Sequence, residues 1–501
     1  MADLQSSSQG IPTIAARMDR LPITRNHLWL TVAIGLGLFF DIYEIFLAGV
    51  LSTVLGEDFH LSASLLPLLL SSAFLGMFIG ALTIGRLADL LGRRRAFLLS
   101  LGIYSAFSLL AAFSVGPVML VVTRFSAGIG IGAEPPVSDT YLGDLLPPKN
   151  RGRYTAWAYT LSFFGVPAAG FLAHWLVPLA PFGLEGWRWM FLIGALGAVI
   201  VFALRTALPE SPRWLEAAGR TDEADAVVRR FEARAMAEGK ALPQPDTRRL
   251  VADSEMAALR NLFVRPYLRR TVMMSVFQVL QTWGYYGFGT LVPLVLVAKG
   301  FPVVQSLLFS AVTFVGYPIG SVLSIPIVER VERKFLVMGS GIVMAVLGLA
   351  FGFASATWAI LLFGFLYTAV SNLFSNAHHI YLAEVFPTKL RGTGASGTYS
   401  LSRLSSAVIP FVLVPLLHHG GPGMLYAVVA GAMVGVAVDI GFLGPRTTGR
   451  ALESVNSAPS AQTANSSTRG AGDGSSGLPA HSRGSTQRRL GRCSSSDRSR
   501  P

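Results

Sequence analysis

The feature that most constrains this chain is a series of long apolar runs between residues 28 and 444. A run of about 20 apolar residues can cross the hydrocarbon core of a bilayer as an α-helix, and such a helix pairs its own backbone groups. About twelve runs of this length occur, near residues 28–54, 64–85, 96–115, 118–140, 154–177, 187–206, 271–297, 304–328, 335–354, 357–381, 394–417 and 424–444. With 52% hydrophobic and only 14% charged residues, the chain is predicted to be an all-α membrane protein with twelve transmembrane helices.

Basic residues are concentrated on alternate loops, which indicates the orientation of the chain. They follow the second, fourth, eighth and tenth runs and comprise Arg86, Arg93, Arg94, Arg95, Lys149, Arg151, Arg153, Arg330, Arg333, Lys334, Lys389 and Arg391. The positive-inside rule places these loops and both termini in the cytoplasm. The net charge of +13 therefore needs no nucleic-acid partner, and we expect a monomer surrounded by lipid.

An internal repeat divides the chain into two halves. The segment YLGDLLPPKNRG at 141–152 returns as YLAEVFPTKLRG at 381–392, and such self-similarity indicates a duplicated structural unit. The matching continues beyond both segments, where Tyr159, Leu161 and Ser162 correspond to Tyr399, Leu401 and Ser402. We predict five regions: a cytoplasmic tail at 1–26, six helices at 27–206, a cytoplasmic linker with short helices at 207–270, six helices at 271–445 and a disordered basic tail at 446–501.

Twelve spans in two related halves resemble the major facilitator superfamily, and local motifs carry the same resemblance. GRLADLLGRR at 85–94 resembles the signature between the second and third helices of that superfamily, and RFSAGIGIG at 124–132 resembles its fourth-helix signature. PESPRWL at 209–215 and PRTTGRALE at 445–453 resemble two motifs of sugar porters. The resemblance implies two pseudo-symmetric six-helix bundles that rock around a central substrate site.

Two acids lie within the first apolar run, and an arginine lies within the fourth. Asp41, Glu44 and Arg124 are about 18, 14 and 9 Å below the outer helix ends at 1.5 Å per residue. Asp41 and Glu44 share one helix face, which we expect to line the central cavity. A carboxylate near an arginine can bind a proton in a way that depends on whether the arginine is engaged.

We therefore predict that Asp41, Glu44 and Arg124 couple transport to protons, with Asp41 as the main group. Aromatic-acid:proton symporters carry a related D-G-x-D motif in their first helix, which reads D-I-Y-E here. The alternatives are a static structural pair and coordination of the substrate or of another cation.

Arg403 lies about ten residues into the eleventh helix, where the first half carries Phe163. A guanidinium at that depth requires an anion, and its planar fork suits a carboxylate. The spacing from Arg403 to Pro410 is similar to that in aromatic-acid and nicotinate-type symporters. The alternative is a buried pair with Asp439 or Glu134.

Further polar residues on the seventh and tenth helices are candidates for substrate contact: Gln278, Gln281, Tyr285, Tyr286, Asn372 and Asn376. The alternative for the aromatic residues is packing or anchoring. The neighbouring His378 and His379 do not predict a metal site, because adjacent residues on a helix point about 100° apart.

Charged residues at the cytoplasmic helix ends are predicted to form a gate that pairs when the inner face closes. They are Asp89, Arg93, Asp144, Arg151, Glu210, Arg213, Glu384 and Arg391. The alternative is that these residues only set the topology and cap helices.

These observations predict a secondary transporter that takes up a small, anionic organic acid, such as an aromatic carboxylate, with a proton across a bacterial inner membrane. The proton is the coupling ion, and no cofactor is expected. The alternatives are a sugar or polyol:proton symporter, which PESPRWL favours, an efflux antiporter, and a nutrient receptor that does not transport. An enzyme is not expected, because no nucleophile–base set, phosphate loop or metal-spaced cluster is evident.

Overall fold

The computed structural model describes residues 13–62, 64–245, 267–385 and 388–446, without the side chains at positions 329, 383 and 388–396. Within these ranges the regular secondary structure is helical. Nine described helical stretches are long and apolar enough to cross a bilayer. The protein is therefore an all-α membrane protein. The predicted tail at 446–501 lies outside the described residues except for its first position.

The first half follows a short helix, α1 (Ile14–Asp19). Its helices are α2 (Arg25–Val50), α3 (Ser52–Asp58), α4 (Leu65–Leu91), α5 (Arg93–Ala112), α6 (Pro117–Leu145), α7 (Pro148–Phe163), α8 (Gly165–Leu176) and α9 (Gly186–Thr206). The pairs α2–α3 and α7–α8 are each one span with a break, so these helices form six spans.

The linker contains two helices, α10 (Pro212–Ala217) and α11 (Thr221–Ala237). The second half comprises α12 (Leu268–Gly289), α13 (Val292–Ala298), α14 (Val303–Phe314), α15 (Gly316–Arg330), α16 (Arg333–Phe353), α17 (Thr357–Val385) and α18 (Thr388–Leu443). Helix α18 is interrupted at Gly421, whose φ of 69° and ψ of −177° are not helical. Glycine adopts a positive φ without steric cost, so Gly421 separates the last two spans.

Some helices of the second half begin and end at the positions that match those of the first half in the sequence repeat. Helix α3, Ser52–Asp58, corresponds residue for residue to α13, Val292–Ala298, and α6, Pro117–Leu145, corresponds to α17, Thr357–Val385. The fold is that of two pseudo-symmetric bundles.

Small residues let helices of the same half approach closely. A Cβ atom on Gly76 or Gly80 of α4 would lie 2.0 Å from a backbone carbonyl oxygen of α6. In the second half, a Cβ on the matching Gly320 of α15 would lie 2.0 Å from the Ala369 carbonyl oxygen of α17. Such glycine contacts favour helix association in lipid, where no hydrophobic force drives it.

The two halves pack against each other at their outer ends. The Phe46 ring of α2 lies 5.8 Å from the Tyr317 ring of α15 and 6.2 Å from the Tyr285 ring of α12, measured between centroids. A Cβ on Gly49 would lie 2.6 Å from the Thr290 carbonyl oxygen. These contacts close the outer end.

The linker holds α1 through ion pairs. Arg17 Nη2 lies 2.6 Å from Glu232 Oε2, and Arg20 Nη2 lies 2.5 Å from Glu232 Oε1. Although burial raises the pKa of the Glu232 carboxyl, the hydrogen bonds from Arg17 and Arg20 outweigh it and lower that pKa below its ordinary value. Glu232 therefore stays ionised at neutral pH and attaches α1 to α11.

Candidate functional site

Glu44 and Arg124 form an ion pair inside the first half. Both side chains are 0% exposed, and Arg124 Nη1 donates to Glu44 Oε1. Arg124 Nη2 also donates to the Glu44 carbonyl oxygen at 2.8 Å, and Ser108 Oγ donates to Glu44 Oε1 at 3.0 Å. The other carboxylate oxygen, Oε2, has no partner among the described residues. The structure thus joins two of the residues predicted to couple protons.

Asp41 does not contact Arg124, although it lies on the same face of α2 as Glu44. It is 2% exposed, and its charge interacts with a second buried pair between Glu134 of α6 and Arg205 of α9. Both members of that pair are 1% exposed. The Arg205 side chain occupies the space beside Gly37, where a Cβ would lie 2.0 Å from Nη2.

The expectation that Asp41 and Glu44 line the central cavity is wrong for this conformation. Helices α5, α6 and α9 surround Glu44 through Ser108, Arg124 and Gly194, so the acidic face of α2 is turned into the first half. The ion pair between Glu44 and Arg124 holds this face of the helix inside the half. Sequence reasoning missed Arg205 because it lies at the end of an apolar run, where an arginine resembles a topology signal.

Arg403 lies between aromatic hydroxyls and has no ion pair with an acid in the described part of the chain. It is 3% exposed, and it donates to Tyr286 Oη from Nη1 and to Tyr399 Oη from Nη2, each at 2.6 Å. Its Nε has no described partner. The alternative pairings with Asp439 and Glu134 are not formed, and Glu134 pairs with Arg205 instead.

The other predicted substrate residues mostly hydrogen-bond to protein. Gln278 Nε2 lies 3.0 Å from His378 Nε2, and Gln281 Nε2 donates to Gln278 Oε1 at 3.2 Å. Asn372 Nδ2 donates to the Tyr317 carbonyl oxygen at 2.6 Å. Tyr285 donates to Asn372 Oδ1 at 3.5 Å, and Asn376 donates to Ser324 Oγ at 2.6 Å. Of this set, Tyr286 is the residue that hydrogen-bonds Arg403.

A second group of residues, which the sequence analysis did not select, lies where the halves face each other. Asp139 of α6 and His379 of α17 are exposed although both belong to spanning helices. Tyr159 Oη of α7 donates to Asp139 Oδ1 at 2.8 Å, and the Tyr159 ring stacks on His379 with centroids 6.0 Å apart. The sequence repeat could have identified this group, because Asp139 and His379 occupy matching positions of the two halves, and so do Tyr159 and Tyr399.

The predicted gate residues of the first half form a network with the linker. Arg93 Nη1 lies 2.8 Å from Asp89 Oδ1 and its Nε lies 3.9 Å from Asp144 Oδ2. Glu210 Oε1 accepts from the Arg93 backbone N–H at 2.9 Å. Arg213 Nε donates to the Asp144 carbonyl oxygen at 3.2 Å.

The remaining gate residues are less connected to this network. Arg151 Nη2 donates to the Leu146 carbonyl oxygen at 3.3 Å, and Glu384 Oε1 lies 3.5 Å from Arg333 Nε. The side chain of Arg391 lies outside the described residues. The ion pairs Arg93–Asp89, Arg93–Asp144 and Arg333–Glu384 each join residues of one half.

No group of three or more His, Cys, Asp or Glu residues that could hold a metal occurs in the described part of the chain.

Comparison with known proteins identifies relatives over most of the chain. A family model described as "Sugar (and other) transporter" matches residues 29–458. The putative metabolite transport protein YyaJ of Bacillus subtilis is 30% identical over 455 residues, which cover 89% of this chain and 99% of that protein. The niacin transporter NiaP of Acinetobacter baylyi is 29% identical over 445 residues, covering 88% and 99%.

Two further similarities concern a named transporter and a solved structure. The gentisate transporter of Corynebacterium glutamicum is 28% identical over 376 residues, covering 74% of this chain and 77% of that protein. The partially occluded inward open conformation of the xylose transporter XylE from E. coli has a TM-score of 0.70 and 19% identity, covering 85% of this chain and 100% of XylE. At that identity the match shows the fold alone.

Proposed function

The chain belongs to the sugar (and other) transporter family of the major facilitator superfamily, and from this premise we propose that it takes up a small organic acid together with a proton. The family consists of transporters and not of enzymes, and the chain is a multi-pass integral membrane protein whose relatives include inner membrane transport proteins. The proposal concerns the substrate, the coupling ion and the direction.

The buried guanidinium of Arg403 is the observation that carries the substrate proposal. A charge at 3% exposure is costly inside a membrane unless an anion compensates it. Its two described hydrogen-bond partners, Tyr286 and Tyr399, are neutral hydroxyls, and its Nε is buried without a described partner. A substrate carboxylate supplies the missing charge and accepts from the guanidinium.

The neighbouring rings favour a flat substrate. The guanidinium carbon of Arg403 lies 5.1 Å from the Tyr399 ring centroid and 5.5 Å from the Tyr286 ring centroid. Niacin and gentisate, which name two of the relatives, are aromatic carboxylic acids. Both observations support an aromatic carboxylate as the substrate of this chain.

The two buried acid–arginine groups support proton coupling. Glu44 Oε2 and Asp41 Oδ2 are carboxylate oxygens without described partners, so each can receive a proton without losing a hydrogen bond. Protonation of Glu44 removes the counter-charge of Arg124, and protonation of Asp41 changes the field at Glu134 and Arg205. The energies of these pairs therefore depend on the proton, and a conformational change that hydrates them links proton release to the inner face.

The inner charges act as a gate in this scheme. Asp89, Arg93, Asp144, Glu210 and Arg213 hold the inner ends of α4, α5 and α6 on the linker in the described conformation. Single exposed pairs contribute only about 0 to 1 kcal/mol, but a network of them can bias the equilibrium between two conformations. We expect the same charges to make additional contacts with the second half when the inner end closes, so their neutralisation should disfavour the closed inner end.

Uptake by proteoliposomes tests the proposal. The purified protein should accumulate benzoate or nicotinate, but not glucose, when a proton gradient is directed inward. Acid uptake that ignores the gradient would refute the coupling, and hexose uptake would refute the substrate class.

Arg403→Ala provides the residue-level test. Hydrogen bonds to charged groups contribute about 1.5–3 kcal/mol, so the variant should bind these acids about 10- to 150-fold more weakly. Arg269→Ala is the matched control, because Arg269 is an exposed cation of the same half. An unchanged affinity in Arg403→Ala would remove the role of the arginine.

A further inference from the structure

Two matching pairs of residues meet where the halves face each other. Asp139 and Tyr159 of the first half correspond in the repeat to His379 and Tyr399 of the second half. The Tyr159 ring stacks on the His379 ring with an interplanar angle of 24°, and the His379 ring lies 6.2 Å from that of Tyr399. Both separations are within the range of interacting aromatic pairs. The three rings form a row across the interface, which we call the aromatic row (Tyr159, His379 and Tyr399).

The aromatic row has opposite charges at its two ends. At one end Tyr159 donates to the Asp139 carboxylate at 2.8 Å, and at the other Tyr399 accepts from Arg403 at 2.6 Å. A ligand beside the row can therefore contact a positively charged hydrogen-bond donor, Arg403, at one end and a negatively charged hydrogen-bond acceptor, Asp139, at the other.

Asp139 differs in its accessibility from Asp41, Glu44 and Glu134, which also lie inside spanning helices of the first half. Asp41, Glu44 and Glu134 are at most 2% exposed, whereas Asp139 is exposed. Its contact with Tyr159, which in turn stacks on a residue of the second half, places it toward the interface and away from lipid. The hydrogen bond from Tyr159 uses Oδ1, and Oδ2 accepts no hydrogen bond from the described residues, so it can accept one from a ligand.

We propose that Asp139 is a specificity-determining residue that selects aromatic carboxylates bearing a hydrogen-bond donor opposite the carboxylate, such as a ring hydroxyl or a protonated ring nitrogen. Arg403 holds the carboxylate, and Asp139 accepts from the donor. The inference rests on the proposed function, since it requires that Arg403 bind an acid. It adds a residue on the other half of the molecule, so such a ligand touches both halves.

Calorimetric titration of the purified full-length protein with matched acids tests the inference. Benzoate lacks the donor, 3- and 4-hydroxybenzoate carry it, and the two methoxybenzoates have similar bulk without a donor. At least one hydroxybenzoate should bind about tenfold more tightly than benzoate and than its methoxy analogue, where tenfold corresponds to about 1.4 kcal/mol. Asp139→Ala should abolish this preference.

Two further variants make the test specific. Asp139→Asn keeps an acceptor without the charge and should retain part of the preference, and it serves in place of Asp139→Ala if that variant does not fold. Thr140→Ala is the matched control, because Thr140 is also exposed and its hydroxyl donates to the Pro136 carbonyl oxygen of its own helix at 2.8 Å. It should keep the preference of the unmodified protein.

The outcomes separate the inference from the proposed function. If the unmodified protein binds none of these acids, the proposed function fails and the inference fails with it. If it binds benzoate and the hydroxybenzoates equally, the inference alone is overturned. Asp139 also has no selective role if the preference survives in Asp139→Ala, or if that variant weakens all the acids equally.

Discussion

Replacing Glu44 by glutamine tests whether the buried pair with Arg124 is the coupling element. The substitution keeps the volume of the side chain and an oxygen that accepts from Ser108, but it leaves Arg124 without a counter-charge at 0% exposure. Breaking a buried ion pair by removing one partner costs about 3–5 kcal/mol. That is a large fraction of the roughly 5–15 kcal/mol of net stability typical of folded proteins, so Glu44→Gln should lower the melting temperature clearly.

A double-mutant cycle separates the cost of the unpaired charge from that of the lost contact. Arg124→Gln alone should also destabilise the protein, whereas the double variant Glu44→Gln, Arg124→Gln leaves no buried charge and should lose less than the sum of the two single losses. Glu57→Gln is the matched control, because Glu57 is exposed in α3, which continues the same span. Melting temperatures come from size-exclusion profiles after heating, and an additive cycle would refute the energetic argument.

The same variants separate coupling from substrate movement. Counterflow requires binding and alternating access but no net proton movement, so Glu44→Gln should still exchange labelled acid. It should not accumulate that acid when a proton gradient is applied. If Glu44→Gln accumulates acid as the unmodified protein does, Glu44 has no part in coupling.

Three other predictions follow from the packing, the linker and the gate. Gly80→Ala should lower the yield of folded protein, because its Cβ would lie 2.0 Å from the Ile129 carbonyl oxygen, whereas Gly85→Ala on the same helix meets open space and should be tolerated; equal yields would contradict the close contact. The lowered pKa of Glu232 means that its stabilising contribution is present above the ordinary glutamate pKa of about 4.3 and is lost as the pH falls through the lowered value. The protection factors of residues 14–19, which correct the exchange rate for its intrinsic dependence on pH, should therefore be high at pH 7 and lower at low pH or in Glu232→Gln, but unchanged in Glu223→Gln. For the gate, a cysteine placed at Thr140 in a Cys493→Ser background reports access from the cytoplasm. Asp89→Asn or Glu384→Gln should raise the labelling rate of this cysteine, whereas Asp222→Asn should not. Equal labelling rates in all variants would indicate that these charges only cap helices.

The sequence was sufficient for the architecture because the signals for it are local or periodic. Apolar runs of bilayer length predict the spans, and the repeat at 141–152 and 381–392 predicts two related halves; the fold and the membership of the superfamily are confirmed. Helix starts follow local chemistry as well, as at Ser211, whose hydroxyl accepts from the Trp214 backbone N–H at 3.2 Å.

The sequence was insufficient for the direction in which the acids point. A helix that is apolar on all sides, as α2 is apart from its two acids, has no hydrophobic face that sets its rotation about its own axis. Its rotation depends on partners far away in sequence, namely Arg124 and Arg205, and the second of these was not recognised. Asp139 was missed for a related reason, because an acid near the end of an apolar run has no distinctive pattern until the facing half is in place.

The proposed roles are divided between the two halves, whose backbones match while their charges do not. The positions of the second half that match Asp41, Glu44 and Arg124 hold Gln281, Gly284 and Gly364, and the position of the first half that matches Arg403 holds Phe163. The buried acid–arginine pairs thus belong to one half and the free guanidinium to the other. The effects of two substitutions should therefore differ. Glu44→Gln should remove the accumulation of acid while exchange persists, whereas Arg403→Ala should weaken acid binding in both the accumulation and the exchange assay. If both variants lost accumulation and exchange to the same extent, the division of roles between the halves would be wrong even though the fold is right.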